Sequence, residues 1–153
     1  MGDAVTSGYF QDPEATTRLF DGDGWLRTGD LGFIHDGDLF VVGRDKEMIV
    51  VHGQNFFPDD VEEIIREIPG VYRKRCIAFP DINDDGEECM GIVVETVHSD
   101  TSPELRDEVA RRIAADLNLS RVQVYLVKPR WLTRTSSGTW QRTLAAKRIS
   151  DGL

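Results

Sequence analysis

The chain has 153 residues, of which 40% are apolar and 29% are charged, a balance typical of a globular protein in water. This composition excludes a disordered or membrane-embedded chain. No stretch comes near the roughly 20 consecutive apolar residues that span a bilayer, and the sequence shows no basic and then apolar export signal. We therefore expect a cytoplasmic protein with no membrane span.

The formal net charge of -9 is unevenly distributed along the chain. Residues 1–98 contain 8 Lys and Arg against 21 Asp and Glu, whereas residues 99–153 contain 10 against 6. Nucleic acids reward a basic surface, so the acidic total argues against a nucleic-acid partner. The basic final third either faces an acidic partner or a phosphate, or forms ordinary solvated helix faces.

The two cysteines, Cys76 and Cys89, lie in neither a CxxC pattern nor a histidine-rich context. This spacing favours reduced thiols in or near the core over a disulfide framework. No metal site is predicted from the sequence.

The first part of the chain contains few elements that could form a core. Asp12 and Pro13 predict the start of a short helix, and Trp25–Asp30 predicts a strand that ends in a polar corner. Asp36-Gly37 predicts a hairpin that pairs residues 32–35 with 39–42. Since two strands and a short helix cannot bury a core unaided, residues 1–43 are expected to be the edge of a larger body.

From Met48 onward the pattern becomes self-contained. Met48–Val51 predicts a strand, Gly53 a break, and Asp59-Asp60 the start of a helix that ends at Pro69-Gly70. Further strands are expected at residues 71–79, 90–97 and 122–127, a helix is expected to be capped by Ser102, and a last helix covers residues 141–149. The predicted fold class is α+β, a small domain in which helices pack on one three-stranded sheet.

Four short motifs occur in order along the chain: Thr28-Gly29-Asp30-Leu31, Gly43-Arg44 with Lys46, Gly53 with Pro58 and Glu62, and Thr135-Ser136-Ser137-Gly138. Together they resemble the C-terminal part of the adenylate-forming superfamily, which includes acyl-CoA synthetases, firefly luciferase, peptide-synthetase adenylation domains and fatty acyl-AMP ligases. Acyl-CoA synthetases usually have Lys at the position of Val50 and Glu at that of Asp60, and they lack Asn55. The chain is therefore most similar to the fatty acyl-AMP ligases.

The resemblance implies a division into three parts: residues 1–43 as the edge of the large nucleotide-binding domain, residues 44–47 as a hinge, and residues 48–153 as a C-terminal lid. It also implies an enzyme that uses ATP, with Mg²⁺, to convert a fatty acid into an acyl-adenylate and then transfers the acyl group to an acyl carrier protein. The phosphate loop and acyl tunnel of such enzymes belong to an N-terminal adenylation domain that this sequence does not contain. The isolated chain is thus expected to be inactive.

Three residues match functional positions of the family. Asp30 matches the acid that holds the ribose hydroxyls, Arg44 the residue that contacts the ribose or phosphate side of the nucleotide, and Lys46 the hinge. A carboxylate can accept two hydroxyl donors, and a guanidinium fork suits phosphate. Simpler explanations are that Asp30 ends a strand, that Arg44 forms a surface ion pair, and that Lys46 is an ordinary exposed lysine.

The last motif departs from the family pattern, which normally reads Ser-Gly-Lys, because Thr139 follows Gly138 here. No residue can be assigned the role of that catalytic lysine. Three explanations stay open: Arg134, Arg142 or Lys147 replaces it; the lid is impaired in adenylation; or the sequence has been altered. The alternatives to a fatty acyl-AMP ligase are therefore an acyl-CoA synthetase lid, an amino-acid adenylation lid, and a non-catalytic interaction module.

Overall fold

The computed structural model describes residues 4–97 and 103–152. Its helices and strands occur in the following order: α1 (Pro13–Leu19), β1 (Asp30–His35), β2 (Asp38–Arg44), a 3-10 turn (Asp45–Glu47), β3 (Ile49–Val51), β4 (Gln54–Phe56), α2 (Pro58–Arg66), a 3-10 turn (Tyr72–Lys74), β5 (Cys76–Ile82), β6 (Glu88–Glu95), α3 (Pro103–Leu117), β7 (Val122–Val127) and α4 (Arg142–Ser150). Within the described ranges, every helix is too short or too polar to cross a lipid bilayer.

The chain divides into two compact units, Met1–Lys46 and Glu47–Leu153, called here the first and the second unit. In the first unit, Asp12 caps α1 by accepting a hydrogen bond from the amide of Ala15 at 2.9 Å, as the sequence predicts. Strands β1 and β2 form the antiparallel hairpin predicted from Asp36-Gly37. The predicted register is wrong by one residue, because residues 32–35 pair with 38–41 and not with 39–42.

The second unit contains the predicted three-stranded sheet, in the order β5-β6-β7. Strand β6 pairs antiparallel with β5 and parallel with β7, which α3 connects to it along the chain. Because side chains alternate along a strand, each face of the sheet has its own core. One core joins α2 and α3 to Ile92 and Val94, and the other joins α4 to Ile77 and Val93.

Several predicted elements differ from the structure. The predicted strand at Trp25–Asp30 is wrong: only Leu26 forms an isolated bridge, and Asp30 begins β1 instead of ending a strand. The chain turns at Gly29, whose φ is +75°.

Gly53 lies in a tight turn and does not end the local sheet, because Gln54–Phe56 returns as β4 and pairs with β3. The run at residues 71–79 begins with a 3-10 turn, and its strand extends to Ile82. Ser102, predicted to cap α3, lies outside the described residues.

Gly91 on β6 is a site where added volume should destabilise the sheet. An alanine Cβ there would lie 2.5 Å from Cζ of the buried Phe79 ring and 2.9 Å from Oδ2 of Asp81. We expect Gly91→Ala to lower the free energy of unfolding by about 1–3 kcal/mol, the usual cost of overpacking. Urea unfolding measures the change, and a second substitution, Phe79→Leu, should recover part of the loss. Unchanged stability in the single variant would contradict this packing.

Candidate functional site

Asp30 and Arg44 lie opposite each other at the open end of the β1-β2 hairpin. Arg44 Nε is 3.2 Å from Asp30 Oδ1, and the two side chains are 37% (Asp30) and 65% (Arg44) exposed. The carboxylate has about four lone-pair sites, so the pair with Arg44 leaves capacity to accept two neighbouring hydroxyl groups. The sequence-predicted nucleotide residues are thus brought together on one exposed corner.

The backbone beside this pair is held by local hydrogen bonds. The Asp30 amide donates to the Thr28 hydroxyl at 3.1 Å, and the Asp45 amide donates to the Gly29 carbonyl at 3.0 Å. Lys46 follows in the 3-10 turn and is exposed. It is the last residue of the first unit, so the chain passes between the two units at the residue matched to the hinge.

Thr139 lies in a short hairpin loop of the second unit. The Thr135 amide donates to the Thr139 carbonyl at 2.9 Å, the Gly138 amide donates to the Thr135 carbonyl at 2.9 Å, and Gly138 has φ +88°. Arg134 and Trp140 form the bridge that closes the loop. We call residues 135–140 the Thr139 loop; Thr139 itself is exposed at its end.

Arg142, one of the three candidates to replace the family lysine, is occupied elsewhere. Its side chain is 11% exposed, and its nitrogens contact three carboxylates, those of Glu47 at 2.5 Å, Asp59 at 2.9 Å and Glu62 at 3.0 Å. Desolvation lowers the pKa of the Arg142 guanidinium, but the hydrogen bond and charge of Glu62, together with the charges of Asp59 and Glu47, raise that pKa overall. A cation neutralised in this way is not available to a nucleotide.

The other two candidates are less constrained. The Arg134 guanidinium carbon lies 3.8 Å from the centre of the Trp140 ring, beside the Thr139 loop. Lys147 lies on α4 with its side chain exposed. The structure leaves both side chains near the surface, where a ligand could reach them.

Glu62 is the fully buried acceptor behind Arg142, with 0% exposure. Its Oε1 accepts from the Ala78 amide at 3.1 Å and from Arg142 Nε at 3.0 Å, and its Oε2 accepts from Arg66 Nη2 at 2.8 Å. Burial raises the pKa of the Glu62 carboxyl, and the hydrogen bonds from Arg142 and Ala78 offset part of this rise. Glu62 therefore connects α2 and β5 to the start of α4.

Glu95, also fully buried, holds the segment that precedes the Thr139 loop. Its carboxylate accepts from the amides of Arg130 at 2.9 Å and Leu132 at 2.7 Å, and pairs with Arg75 at 2.6 Å. Arg75 in turn stacks on Trp140 at 5.0 Å. Two buried carboxylates thus hold the two ends of the loop. Glu95 binds the segment that precedes it, and Glu62 binds Arg142, which follows it.

Neither anchoring role was foreseen from the sequence. The sequence identifies Glu62 only as a motif residue and assigns no role to Glu95. The sequence does contain one signal for the role of Glu95, which is a single acid within the predicted strand Met90–Val97. A charge buried in such a strand requires partners.

The cysteines contribute no reactive group to this site. Cys76 and Cys89 are free and buried, as predicted. Burial raises the pKa of the Cys76 thiol to about 12 and that of the Cys89 thiol to about 11. Both are therefore protonated, weakly reactive thiols at neutral pH.

Comparison with known proteins places the chain in a family. The family model for the AMP-binding enzyme C-terminal domain matches residues 53–151. The long-chain-fatty-acid--AMP ligase FadD26 of Mycobacterium tuberculosis is 38% identical over 99% of this chain and 29% of its own length. The 4-hydroxyphenylalkanoate adenylyltransferase of Mycobacterium marinum is 36% identical over 100% of this chain and 27% of its own length.

Solved structures give the same result. A structure from a study of fatty acyl-adenylate ligases from E. coli and L. pneumophila superposes with a TM-score of 0.80 at 32% identity, over 98% of this chain and 26% of the other. The McyG A-PCP structure, complexed with phenylalanyl-adenylate, superposes with a TM-score of 0.83 at 26% identity, over 99% of this chain and 28% of the other. The chain thus spans less than a third of the length of these relatives. Because the family model covers more than half of the chain and the fold agrees, this chain belongs to the family of AMP-binding enzyme C-terminal domains.

Proposed function

We propose that this chain is the C-terminal portion of a fatty acyl-AMP ligase, an enzyme that uses ATP to convert a fatty acid into its acyl-adenylate. The observation that carries the proposal is the exposed pair of Asp30 and Arg44, with nitrogen and oxygen 3.2 Å apart, immediately before the boundary between the two units. Relatives named as fatty-acid AMP ligases support the substrate class. The reaction is proposed to take place in the cytoplasm, which stays a prediction from the sequence.

The residues present fit part of a nucleotide. Asp30 would accept hydrogen bonds from the ribose hydroxyls, and Arg44 would pair with the ribose or phosphate side. Bound ATP would supply the α-phosphate to which the fatty acid carboxylate becomes attached. The first unit would orient the sugar, while the phosphate loop and the acyl site would come from an N-terminal adenylation domain.

The Mg²⁺ that the family resemblance implies stays a proposal for the complete enzyme. Across residues 4–97 and 103–152, no three His, Cys, Asp or Glu side chains come together as a metal-binding group. Mg²⁺ usually keeps several waters and binds one or two carboxylates together with substrate phosphates. In the proposed reaction, the phosphates of bound ATP and water would therefore supply most of the ligands of the metal ion.

We further propose an acyl carrier protein as the acceptor of the acyl group. Val50 on β3 is exposed and apolar where acyl-CoA synthetases usually carry Lys, so it offers no charge to a coenzyme A phosphate. The proposal is tested by replacing the lid of an E. coli fatty acyl-adenylate ligase with residues 47–153 and offering the enzyme preformed acyl-adenylate together with free coenzyme A or carrier protein. Acyl transfer to carrier protein alone is expected, and equal transfer to coenzyme A would contradict it.

The role of Asp30 is tested in an enzyme that contains this whole chain joined to the N-terminal part of the same ligase. Asp30→Asn should raise the KM for ATP roughly 10- to 100-fold, because hydrogen bonds to a charged acceptor typically contribute about 1.5–3 kcal/mol. Asp38→Asn, an exposed acid at the other end of the hairpin, is the matched control and should leave KM unchanged. Equal effects of the two variants would remove Asp30 from the nucleotide site.

A second candidate function, a non-catalytic lid, is favoured by one observation. Thr139 has no positive charge, and Arg142 is held by carboxylates and cannot replace the family lysine. Under this alternative, the second unit would serve to bind a partner. The alternative is separated from the ligase by the Thr139→Lys experiment described in the Discussion.

A further inference from the structure

Arg142 joins two parts of the second unit that are far apart in sequence. Its Nη1 lies 2.5 Å from Oε2 of Glu47, at a sequence separation of 95 residues. Glu47 is the first residue of the second unit and directly follows Lys46. Arg142 itself begins α4, two residues after Trp140 ends the Thr139 loop.

The contacts of Arg142 give it a single, well-defined position. Its three nitrogens each face a different carboxylate, and one of these, Glu62, is fully buried and fixed by the Ala78 amide. A planar guanidinium can satisfy several acceptors at once, whereas the ammonium of a lysine cannot reproduce the fork. If Glu47 moves, therefore, either Arg142 moves with it or their short charged hydrogen bond breaks.

The Thr139 loop has a second anchor, but that anchor does not reach the boundary between the units. Glu95 holds the amides of Arg130 and Leu132, and Arg75 stacks on Trp140. These contacts tie the loop to the sheet. Arg142, two residues after the loop ends, pairs with Glu47, the last residue of the turn Asp45–Glu47.

We propose that Arg142 is a positioning residue that transmits the conformation of the turn Asp45–Glu47 to the Thr139 loop through its ion pair with Glu47. The proposal rests on the proposed function in so far as this loop is taken to approach the reacting nucleotide. The link between Glu47 and the loop is nevertheless a property of this chain that can be measured without ATP.

The test is amide hydrogen exchange, measured by NMR on the whole chain. Glu47→Gln keeps the shape of the side chain and removes its charge, so the amides of Thr135 and Gly138, which bond within the loop, should exchange roughly three- to tenfold faster. Glu67→Gln is the matched control, since Glu67 forms an exposed ion pair with Lys74 at 2.6 Å. Exchange in the loop should be unchanged in this control.

A double-mutant cycle shows whether the effect passes through Arg142. In an Arg142→Gln background, Glu47→Gln should add no further change in loop exchange. Arg142→Lys, which keeps the charge and loses the fork, serves as the background if Arg142→Gln does not fold.

Three outcomes would overturn the proposal. The first is unchanged loop exchange in Glu47→Gln, and the second is a Glu47→Gln effect that persists in full in the Arg142→Gln background. The third is an equal acceleration of exchange at the amides of β6, which would indicate general destabilisation. The measurement uses no nucleotide and no second domain. A hybrid ligase that is inactive both with and without Thr139→Lys would therefore refute the proposed function while leaving this link intact, and unchanged exchange would do the reverse.

Discussion

Glu62→Ala is expected to lower the free energy of unfolding of the second unit by about 3–5 kcal/mol, the usual cost of removing one partner from a buried ion pair. The substitution leaves Arg142, Arg66 and the Ala78 amide without the acceptor that they share. It also opens space at a fully buried position. Amide exchange in the central strand β6, which reports on global opening of this unit, measures the change.

The neighbouring Glu63→Ala is the matched control, because Glu63 lies on the exposed face of α2. Its effect should stay within about 0.5 kcal/mol. Glu62→Gln keeps one acceptor oxygen and should fall between the two. If Glu62→Ala and Glu63→Ala destabilise β6 equally, the buried carboxylate is not the connection described here.

Thr139→Lys is expected to accelerate acyl-adenylate formation on the order of 100-fold or more, because one donor placed at developing negative charge commonly contributes that much. The enzyme for this test is the fatty acyl-adenylate ligase whose lid is replaced by residues 47–153, and the measurement is ATP–pyrophosphate exchange with a long-chain fatty acid. Thr139 is exposed at the end of its loop, so the new side chain has room to extend.

Ser137→Lys adds the same charge to the same exposed loop and serves as the control. A large gain with Thr139→Lys alone indicates a lid that is impaired in the first half-reaction. If Thr139→Lys gives no gain and the unmodified lid is already active, another cation such as Arg134 does the work, and Arg134→Gln should then abolish exchange. Activity in neither form favours the non-catalytic alternative.

Local signals predicted much of the fold correctly. The Asp36-Gly37 turn predicted the β1-β2 hairpin, with its register one residue off, and Asp12 with Pro13 marked the start of α1. These features depend on residues close in sequence, which is why they can be read without a structure. The apolar runs of the three longer strands predicted the sheet for the same reason.

The errors arose where short segments depend on neighbours. Strand β4 has only three residues and is stable because it pairs with β3, so its own sequence carries little signal. The strand predicted at Trp25–Asp30 does not form, because only Leu26 finds a partner, namely Phe20.

The contacts of the candidate site depend on still longer separations. Asp30 and Arg44 could be matched to a family motif, and the hairpin brings them together. Glu62 and Arg142 are 80 residues apart, and Glu95 and Leu132 are 37 apart. Nothing in the local pattern of either glutamate indicates its partner, so the anchoring of the Thr139 loop emerges only from the fold.

The most direct test of the central claim, that this chain provides the lid of an acyl-adenylating ligase, is a single-turnover measurement of acyl-adenylate with three forms of one enzyme. The forms are the E. coli ligase without its lid, the same protein carrying residues 47–153, and that hybrid with Thr139→Lys. We predict that acyl-adenylate forms far faster in the Thr139→Lys hybrid than in the enzyme without a lid. Equal rates in all three forms, with the hybrids folded by circular dichroism, would contradict the account.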